Sequence, residues 1–248
     1  MNDRADGIIL KEMDYREHDV MITVLSEQYG KIAFTVSGAR KMSSRNKGSV
    51  LPYTKAEFEF DYKPHRTLFH LKRARTLKLY RPLHEDLTLS SAAAVLIGTA
   101  DALTLSGEED DDPKAKLQLL EQALDLLAEK EPCDLVIACY LSEMMQLFGV
   151  GAEVDACVHC GKPEAVVFSS DEGGFLCHEC AGSQEPMTKE ELMRMRRIVR
   201  GGITHYSQVR QLVTPSPQDA FLLHEMLVRH AGIRIGAYQL YRKLNRYA

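Results

Sequence analysis

The sequence of 248 residues contains no tryptophan and no long apolar run. No window reaches the ~20 consecutive apolar residues that a membrane-spanning helix needs. The opening MNDRADGIIL is acidic, and its apolar run is too short for the h-region of a secretory signal peptide. We therefore expect a protein of the cytoplasm, where structural disulfide bonds are rare.

Motifs that organise catalysis are missing as well. The sequence has no GxxxxGK(S/T) loop, no HExxH helix, no GxSxG elbow and no GxGxxG turn. Nothing in it brings together a nucleophile, a base and a group that orients the base. We therefore expect a protein that is not an enzyme. The acidic run from Glu108 to Asp112 lacks the alternate spacing of a calcium loop and predicts a solvated loop.

Four of the six cysteines form two Cys-x-x-Cys pairs. Such a pair forms a tight turn that directs both sulfur atoms to one metal ion, and the sixteen residues between the pairs match structural zinc sites. The residues between them predict two strands joined by a turn, hence a zinc ribbon at 154–183. Four thiolate ligands leave no open position for water or substrate, so one structural Zn²⁺ is expected. The predicted ligands are Cys157, Cys160, Cys177 and Cys180.

Other functions of these cysteines stay open at this stage. A thioredoxin-like redox pair is the alternative, although it would require one pair at the start of a helix in an α/β unit. His159 and His178 lie inside the pairs. They are expected to be exposed or to contact a metal-binding cysteine rather than the metal itself. Gly161 is expected to need a positive φ. Cys133 and Cys139, in an apolar segment, are expected to be small buried side chains.

Positive charge is concentrated in one part of the chain, although the net charge is −4. Residues 31–81 carry thirteen basic and three acidic side chains, whereas residues 82–156 carry three basic and sixteen acidic ones. Such a basic density suits phosphate neutralisation without sequence recognition, and a solvated basic face is the alternative. Tyr53, Phe69 and Tyr80 are candidates for base stacking or for the core. The basic candidates are Arg40, Lys41, Arg45 and Lys47 in a polar loop and Lys72, Arg73, Arg75 and Lys78 in the strand that follows.

The hydrophobic pattern predicts an α+β protein with two domains. Five short strands are predicted in the first 80 residues, and a five-stranded barrel of this size favours an OB-fold. From residue 81 the period becomes helical, so the second predicted domain, 81–248, is all helical with the ribbon inserted. Helix starts are predicted at Asp86, at Pro113 and at the capping box of Thr188 with Glu191.

Three passages resemble the bacterial RecO recombination mediators, and they occur in the same order. They are GIILKEMDYREHDVMITVLSEQYGKIAFTVSGARK, LPYTKAEFEF and CVHCG with GGFLCHEC. The resemblance covers nearly the whole chain and implies an N-terminal OB-fold with a helical domain that carries a zinc site. It also implies binding of single- and double-stranded DNA, annealing of complementary strands, and loading of RecA onto coated strands in the RecF pathway of DNA damage repair. Members need no nucleotide and make no covalent bond.

The same resemblance implies partners and contact residues. The partners are RecR, sometimes RecF, RecA, and the C-terminal tail of single-stranded DNA-binding protein, in a nucleoid-associated cytoplasmic protein. The family's basic positions match Lys31, Arg40, Lys41 and Arg45, and more loosely Lys72, Arg73 and Arg75. The tail pocket is expected in the helical domain, at a position that the sequence leaves open. Arg194, Arg196, Arg197 and Arg200 predict a second basic surface or, equally, a solvated or internally paired helix face. A zinc-ribbon protein adaptor without DNA contact is the alternative function.

Overall fold

Strands come first and helices follow in the computed structural model, which describes residues 3–41, 46–106 and 110–245, with the backbone alone of Lys47. The chain divides into two compact units, Met1–Ala128 and Glu129–Ala248. The first unit holds a mixed sheet and helices, and the second holds helices and a small hairpin. The predicted α+β class and the order of its parts are confirmed.

Six strands of the first unit form one sheet in the order β5-β3-β2-β1-β4-β6. All pairs are antiparallel except β3 with β5, which run parallel. The count is therefore six rather than the predicted five. The strands are β1 (Asp3–Asp14), β2 (Val20–Ser26), β3 (Gly30–Val36), β4 (Thr54–Phe60), β5 (Leu68–His70) and β6 (Arg73–Leu79).

The extra strand arises because one predicted strand, 67–80, changes partner in the middle. The backbone N–H of Leu71 donates to Thr35 O of β3 at 3.0 Å, while that of Lys72 donates to Glu59 O of β4 at 2.9 Å. The chain thus passes from one edge of the sheet to the other between these two residues. Among the described strands no ladder pairs β5 with β6, so the sheet is not a five-stranded barrel closed by hydrogen bonds.

Alternation along β4 builds the core of this unit. Ala56, Phe58 and Phe60 are fully buried, whereas the charged residues between them face outward. Phe34 stacks on Phe58 with ring centroids 5.4 Å apart and meets Phe60 edge to face. Each such buried side chain contributes roughly 1.5–3 kcal/mol, so this cluster fixes the strand register from which the basic side chains project.

Three helices complete the first unit, α1 (Arg81–Glu85), α2 (Leu87–Leu103) and α3 (Pro113–Ala128). The carboxylate of Asp86 accepts a hydrogen bond from Leu89 N at 3.0 Å and caps α2, as predicted. Helices α2 and α3 pack on the first strands of the sheet. The predicted division at residue 80 follows the change from strands to helices, while the compact unit continues to Ala128. The apolar face of α3 is buried at Leu117, Leu120, Leu124 and Leu127.

The acidic loop before α3 is only partly described, since Glu108 and Glu109 lie outside the described residues. Asp110 is buried, which contradicts the expectation of a solvated loop at this position. Its carboxylate accepts hydrogen bonds from Leu105 N at 2.9 Å and from the ammonium group of Lys116 at 2.7 Å. Asp110 therefore stabilises the connection between α2 and α3.

The second unit is built around one buried helix, α4 (Cys133–Leu147), which packs against three later helices. Thr188 and Glu191 form the predicted capping box at the start of α6, because each side chain accepts from the other's backbone N–H. No helix in the described part of the chain is long and apolar enough to cross a membrane. The other elements are β7 (Val167–Ser169), β8 (Gly174–Leu176), α5 (His178–Ala181), α6 (Lys189–Gly201), α7 (Tyr206–Leu212), α8 (Pro217–Ala231) and α9 (Gly236–Asn245).

Candidate metal centre and nucleic-acid interface

The four paired cysteines meet at one point of the second unit. The sulfur atoms of Cys157, Cys160, Cys177 and Cys180 all lie within 4.8 Å of one another. Sulfur ligands about 2.3 Å from a tetrahedral zinc ion are ~3.8 Å apart, and Cys160 Sγ and Cys177 Sγ are separated by 3.6 Å. None of these cysteines forms a disulfide bond. The cluster therefore fits one metal ion, and its chemistry fits zinc.

Tight turns and a hairpin bring the two pairs together. Gly161 has φ +74°, as predicted, and its N–H donates to Cys157 O at 2.9 Å. Strands β7 and β8 pair antiparallel between the two turns. Burial raises the pKa of the Cys157 thiol, but backbone N–H groups of Cys177, Cys160 and His159 that donate to its sulfur lower the pKa to about 6. The turns thus favour thiolate at a position where a cation would bind.

The two histidines of this segment lie outside the ligand group. His159 Nε2 is 2.7 Å from Glu172 Oε2, so its ring interacts with a carboxylate on the surface. His178 is exposed, and the group that fits a metal in the described part of the chain contains cysteines alone. Of the remaining cysteines, Cys139 is fully buried as expected, and Cys133 is half-buried.

Two arginines of α6 anchor the hairpin in the second unit. Arg196 Nε donates to Val154 O at 2.7 Å, and its guanidinium carbon lies 5.4 Å from the ring centroid of Phe175 in β8. Arg200 pairs with Asp155, and the guanidinium group lowers the pKa of that carboxyl group. Both arginines therefore bind residues 154–155, the chain segment that leads into Cys157.

The basic loop after β3 is fixed by the turn between β1 and β2, residues 15–19. Asp19 Oδ1 accepts from Gly38 N at 2.8 Å, and His18 O accepts from Arg40 N at 3.1 Å. The Arg40 guanidinium group pairs with Asp14 and lies 3.8 Å from Glu12. This turn lies in the passage DYREHD, so the passage holds the start of the basic loop in place.

Four of the predicted DNA-binding residues line one cleft of about 830 Å³ in the first unit. Along β6 the Ala74 side chain enters the core, so the side chains on either side of it point outward. The loop after β3 also lines the cleft and contributes Gly38 and the basic residue Lys41. The four basic residues are Lys41, Lys72, Arg73 and Arg75.

Acidic neighbours reduce the charge of this cleft without cancelling it. Glu57 is shared, since its carboxylate lies 3.3 Å from Arg75 Nε and 3.8 Å from Arg4 Nη1. The hydrogen bond from Arg75, with the nearby arginine charges, lowers the pKa of Glu57, so this carboxylate is ionised at neutral pH. Lys72 lies 2.6 Å from Asp61. Because the cations of these pairs are exposed and surface ion pairs are weak, a polyanion can compete for them at little cost.

The other predicted DNA contacts lie elsewhere or outside the described residues. Lys31 Nζ donates to Asp101 O at 2.5 Å, with the Asp101 carboxylate at 3.2 Å, so this side chain connects β3 to α2. Lys78, at the far end of β6, pairs with Asp125 of α3 at 2.5 Å. Arg45 and the side chain of Lys47 lie outside the described part of the chain.

The aromatic side chains named for base stacking belong mainly to the core. Phe69 and Tyr80 are buried, and Tyr53 is half-buried with its hydroxyl group 3.4 Å from Ser90 O. For the two buried rings the structure therefore supports the core alternative. Among the described tyrosine and phenylalanine residues of this unit, the exposed one is Tyr15, which sequence reasoning missed, although it lies in the same DYREHD passage.

The α6 arginines bind acceptor groups within the second unit. This favours the interpretation that they form an internally paired helix face rather than a second basic surface. Arg194 Nε lies 2.6 Å from Asp219 Oδ2, and Arg197 Nη1 donates to Leu212 O at 2.6 Å. A groove of about 340 Å³ nevertheless separates α6 from α7. The apolar part of its lining includes Leu212, which is largely exposed. Three of the arginines also line the groove, and we call them its rim: Arg196, Arg197 and Arg200.

Comparison with known proteins places these features in a family. The model described as "Recombination protein O N terminal" matches residues 1–80, and "Recombination protein O C terminal" matches residues 84–213. A DNA repair protein RecO of Moorella thermoacetica is 29% identical over 213 residues, which are 84% of this chain and 74% of that protein.

Two Bacillus proteins named DNA repair protein RecO agree. That of Bacillus pumilus is 28% identical over 239 residues, 95% of this chain and 90% of the relative. That of Bacillus velezensis is 30% identical over 181 residues, 71% of this chain and 68% of the relative. Because the two models together match most of the chain, including the basic cleft and the cysteine ribbon, this chain belongs to the RecO family of DNA repair and recombination proteins.

Proposed function

We propose that this chain binds single- and double-stranded DNA without sequence recognition, anneals complementary strands and helps to load RecA onto strands coated with single-stranded DNA-binding protein. The observation that carries the proposal is the cleft that gathers Lys41, Lys72, Arg73 and Arg75 from a loop and an adjacent strand. Membership of a DNA repair and recombination family supports the same conclusion.

Charge explains how such a cleft promotes annealing. Two complementary strands repel each other through their phosphates at the moment they meet. Lysine and arginine side chains that bind phosphates release condensed counterions and reduce this repulsion, whatever the base sequence. The work is binding and positioning, so the protein acts as a mediator rather than an enzyme and needs neither nucleotide nor bond chemistry. One Zn²⁺ held by the four cysteines stabilises the second unit and takes no part in the reaction.

The second unit offers a surface for a protein partner. The groove between α6 and α7 combines an apolar lining with Arg196, Arg197 and Arg200 at its rim. An acidic peptide with an apolar side chain complements both features, and the C-terminal tail of single-stranded DNA-binding protein has this chemistry. RecR, RecF and RecA are further partners in this proposal. With these partners the protein would work in the cytoplasm at the nucleoid.

Strand annealing on DNA coated with single-stranded DNA-binding protein, measured across a range of salt concentrations, tests this proposal. The intact protein should accelerate annealing, and its affinity should fall steeply with salt, with a log–log slope of about −0.7 per neutralised phosphate on single strands. Lys41→Glu and Arg75→Glu should each weaken binding to all sequences alike and make the slope shallower.

The matched control is Lys189→Glu, which reverses an exposed charge at the start of α6 and is not part of the cleft lining. Binding and annealing should be unchanged in this variant. If the intact protein gave no strand binding at low salt and no faster annealing, the proposal would be wrong. Partner binding that survives Lys41→Glu, without any DNA contact, would instead favour a zinc-ribbon adaptor.

A further inference from the structure

Tyr15 is the exposed ring among the tyrosine and phenylalanine residues that the structure describes in the first unit. Tyr15 is 45% exposed, whereas the other tyrosine and phenylalanine residues that the structure describes between Asp3 and Ala128 are buried or half-buried. Met13, two residues earlier, is 46% exposed as a residue. Single exposed apolar residues are common, so exposure alone indicates nothing. The geometry around the ring decides whether it has a use.

The backbone around Tyr15 is held in one conformation. The N–H groups of Tyr15 and Arg16 both donate to Asp19 O, at 3.1 and 3.4 Å, and Asp19 N donates back to Arg16 O at 3.3 Å. The guanidinium carbon of Arg16 lies 5.1 Å from the centroid of the Tyr15 ring. A ring on a fixed turn loses little conformational freedom when a ligand stacks on it.

The same turn is joined to the basic cleft. Asp19 Oδ1 accepts from Gly38 N, and His18 O accepts from Arg40 N. Gly38 and Lys41 line the cleft. An aromatic ring and a set of phosphate-binding cations are therefore carried by two loops that are hydrogen-bonded to each other within one unit.

Phosphate-binding cations and an aromatic ring recognise different features of a nucleic acid. Lysine and arginine neutralise the backbone of any strand, whether paired or not. An aromatic ring stacks on the face of a base, and in a duplex that face is covered by the neighbouring base pairs. We infer that Tyr15, with Arg16 against its ring, stacks on an unpaired base of a strand held in the cleft. This inference rests on the proposed DNA binding and identifies the residue that distinguishes unpaired from paired strands.

Affinity measurements separate this role from a general contribution to binding. Tyr15→Ala should weaken binding of a single-stranded oligothymidylate about tenfold, which is about 1.4 kcal/mol. The same change should leave unaltered the affinity for a duplex of equal length and for an abasic oligonucleotide with the same number of phosphates. Tyr15→Phe should keep the affinity for single strands, because the ring and not the hydroxyl group is needed.

The absence of tryptophan from the chain provides a direct optical test. Tyr15→Trp introduces a single tryptophan, which can be excited apart from the tyrosines, and stacking on an unpaired base should quench and shift its emission with single strands but not with the duplex. The matched control is Phe148→Trp in the second unit, where the native residue is 37% exposed, and its emission should stay constant.

The outcomes distinguish this inference from the proposed function. If Tyr15→Ala weakened single-strand and duplex binding equally, or weakened neither, stacking by Tyr15 would be wrong while DNA binding stood. If Lys41→Glu had no effect on any DNA, the proposed interface itself would fail. Circular dichroism of each variant checks folding. If Tyr15→Ala does not fold, Tyr15→Trp provides the test. A constant Tyr15→Trp emission with single strands would overturn the inference.

Discussion

Cys160 Sγ and Cys177 Sγ lie 3.6 Å apart, although seventeen positions separate the two residues. Around this contact is a small apolar cluster to which Cys157, Val167 and Leu176 belong. Four thiolates at such distances would repel one another in the absence of a cation. A metal ion bound by these cysteines would therefore contribute to the folding of the ribbon as well as to its shape.

Replacing a ligand should remove the metal and destabilise the second unit first. In Cys177→Ser we expect metal content to fall from about one ion per chain to nearly none, with a lower unfolding midpoint, because metal binding free energy is folding free energy at such sites. Metal analysis and thermal unfolding measure both. DNA binding by the first unit should weaken only as a consequence of unfolding.

Cys133→Ser is the matched control, since this half-buried cysteine of α4 lies outside the ligand group. It should keep the metal. A Cys177→Ser protein that remained fully folded yet lost strand annealing would contradict a structural role for the metal and would place the ribbon in the functional surface.

The cysteine ribbon was predictable because its information is local. The spacing of Cys157, Cys160, Cys177 and Cys180, and the glycine after the first pair, determine both turns within 24 residues. The caps at Asp86 and Thr188 were predictable for the same reason. In each case, the group that needs a partner and the group that supplies it lie a few residues apart.

Features that depend on distant partners were not predictable. Nothing in the pattern of 67–80 shows that Leu71 and Lys72 bond to different strands, since their acceptors, Thr35 and Glu59, are fixed by the sheet as a whole. The spacing of the α6 arginines likewise could not show that Arg194 would meet Asp219. The basic cluster was visible in the composition, but the cleft that gathers part of it is tertiary.

Neutralising Glu57 should strengthen DNA binding. Its carboxylate lies between Arg4 and Arg75, so it reduces the positive charge that the cleft offers to phosphates. For Glu57→Gln we expect roughly threefold tighter binding of single and double strands at low salt, with the gain decreasing as salt screens it. Fluorescence anisotropy at two salt concentrations measures the change.

Glu27→Gln serves as the matched control for this change, because Glu27 also forms an ion pair, with Lys114, but lies outside the cleft lining. Its effect on DNA affinity should be small. Weaker binding after Glu57→Gln would mean that the carboxylate orients Arg75 for phosphate contact instead of competing with it.

The groove between α6 and α7 should lose its affinity for an acidic tail when its rim charge is reversed. Arg197→Glu replaces an attraction by a repulsion, and Leu212→Ser removes an exposed apolar side chain from the lining. Each change should lower affinity for the C-terminal peptide of single-stranded DNA-binding protein at least about tenfold, measured by calorimetry, while DNA affinity is retained.

Lys189→Glu, on the same helix but outside the groove lining, should bind the peptide normally. If both groove variants bound the tail as tightly as the intact protein does, the tail would have to bind elsewhere in the chain.

Stability of the second unit should decrease in mild acid because of His224. The ring is buried, Ile235 N donates to its Nε2 at 3.3 Å, and it stacks on Tyr238 with centroids 4.4 Å apart. Burial lowers the pKa of His224 below its ordinary value of 6.5, and Arg234 and Arg242 act in the same direction, while Glu225 opposes them.

The direction of the effect follows from this lowered pKa. The unfolded chain takes up the proton at His224 near pH 6.5, before the folded chain does, so stability is fully present above that pH and is lost as the pH falls below it. One such group contributes a slope of at most about 1.4 kcal/mol per pH unit. Asp134 and Asp219 have pKa values raised by burial and act in the opposite sense, because they favour the folded state as they take up protons.

The contribution of His224 is therefore measured as a difference between variants. Urea unfolding of His224→Gln between pH 7.5 and pH 5 should show a shallower loss of stability than the intact protein, at a lower stability throughout, because the stacking on Tyr238 is lost. His205→Gln, which changes an exposed histidine of the same unit, should keep the original slope. An unchanged slope in His224→Gln would mean that other groups carry the acid sensitivity of this unit.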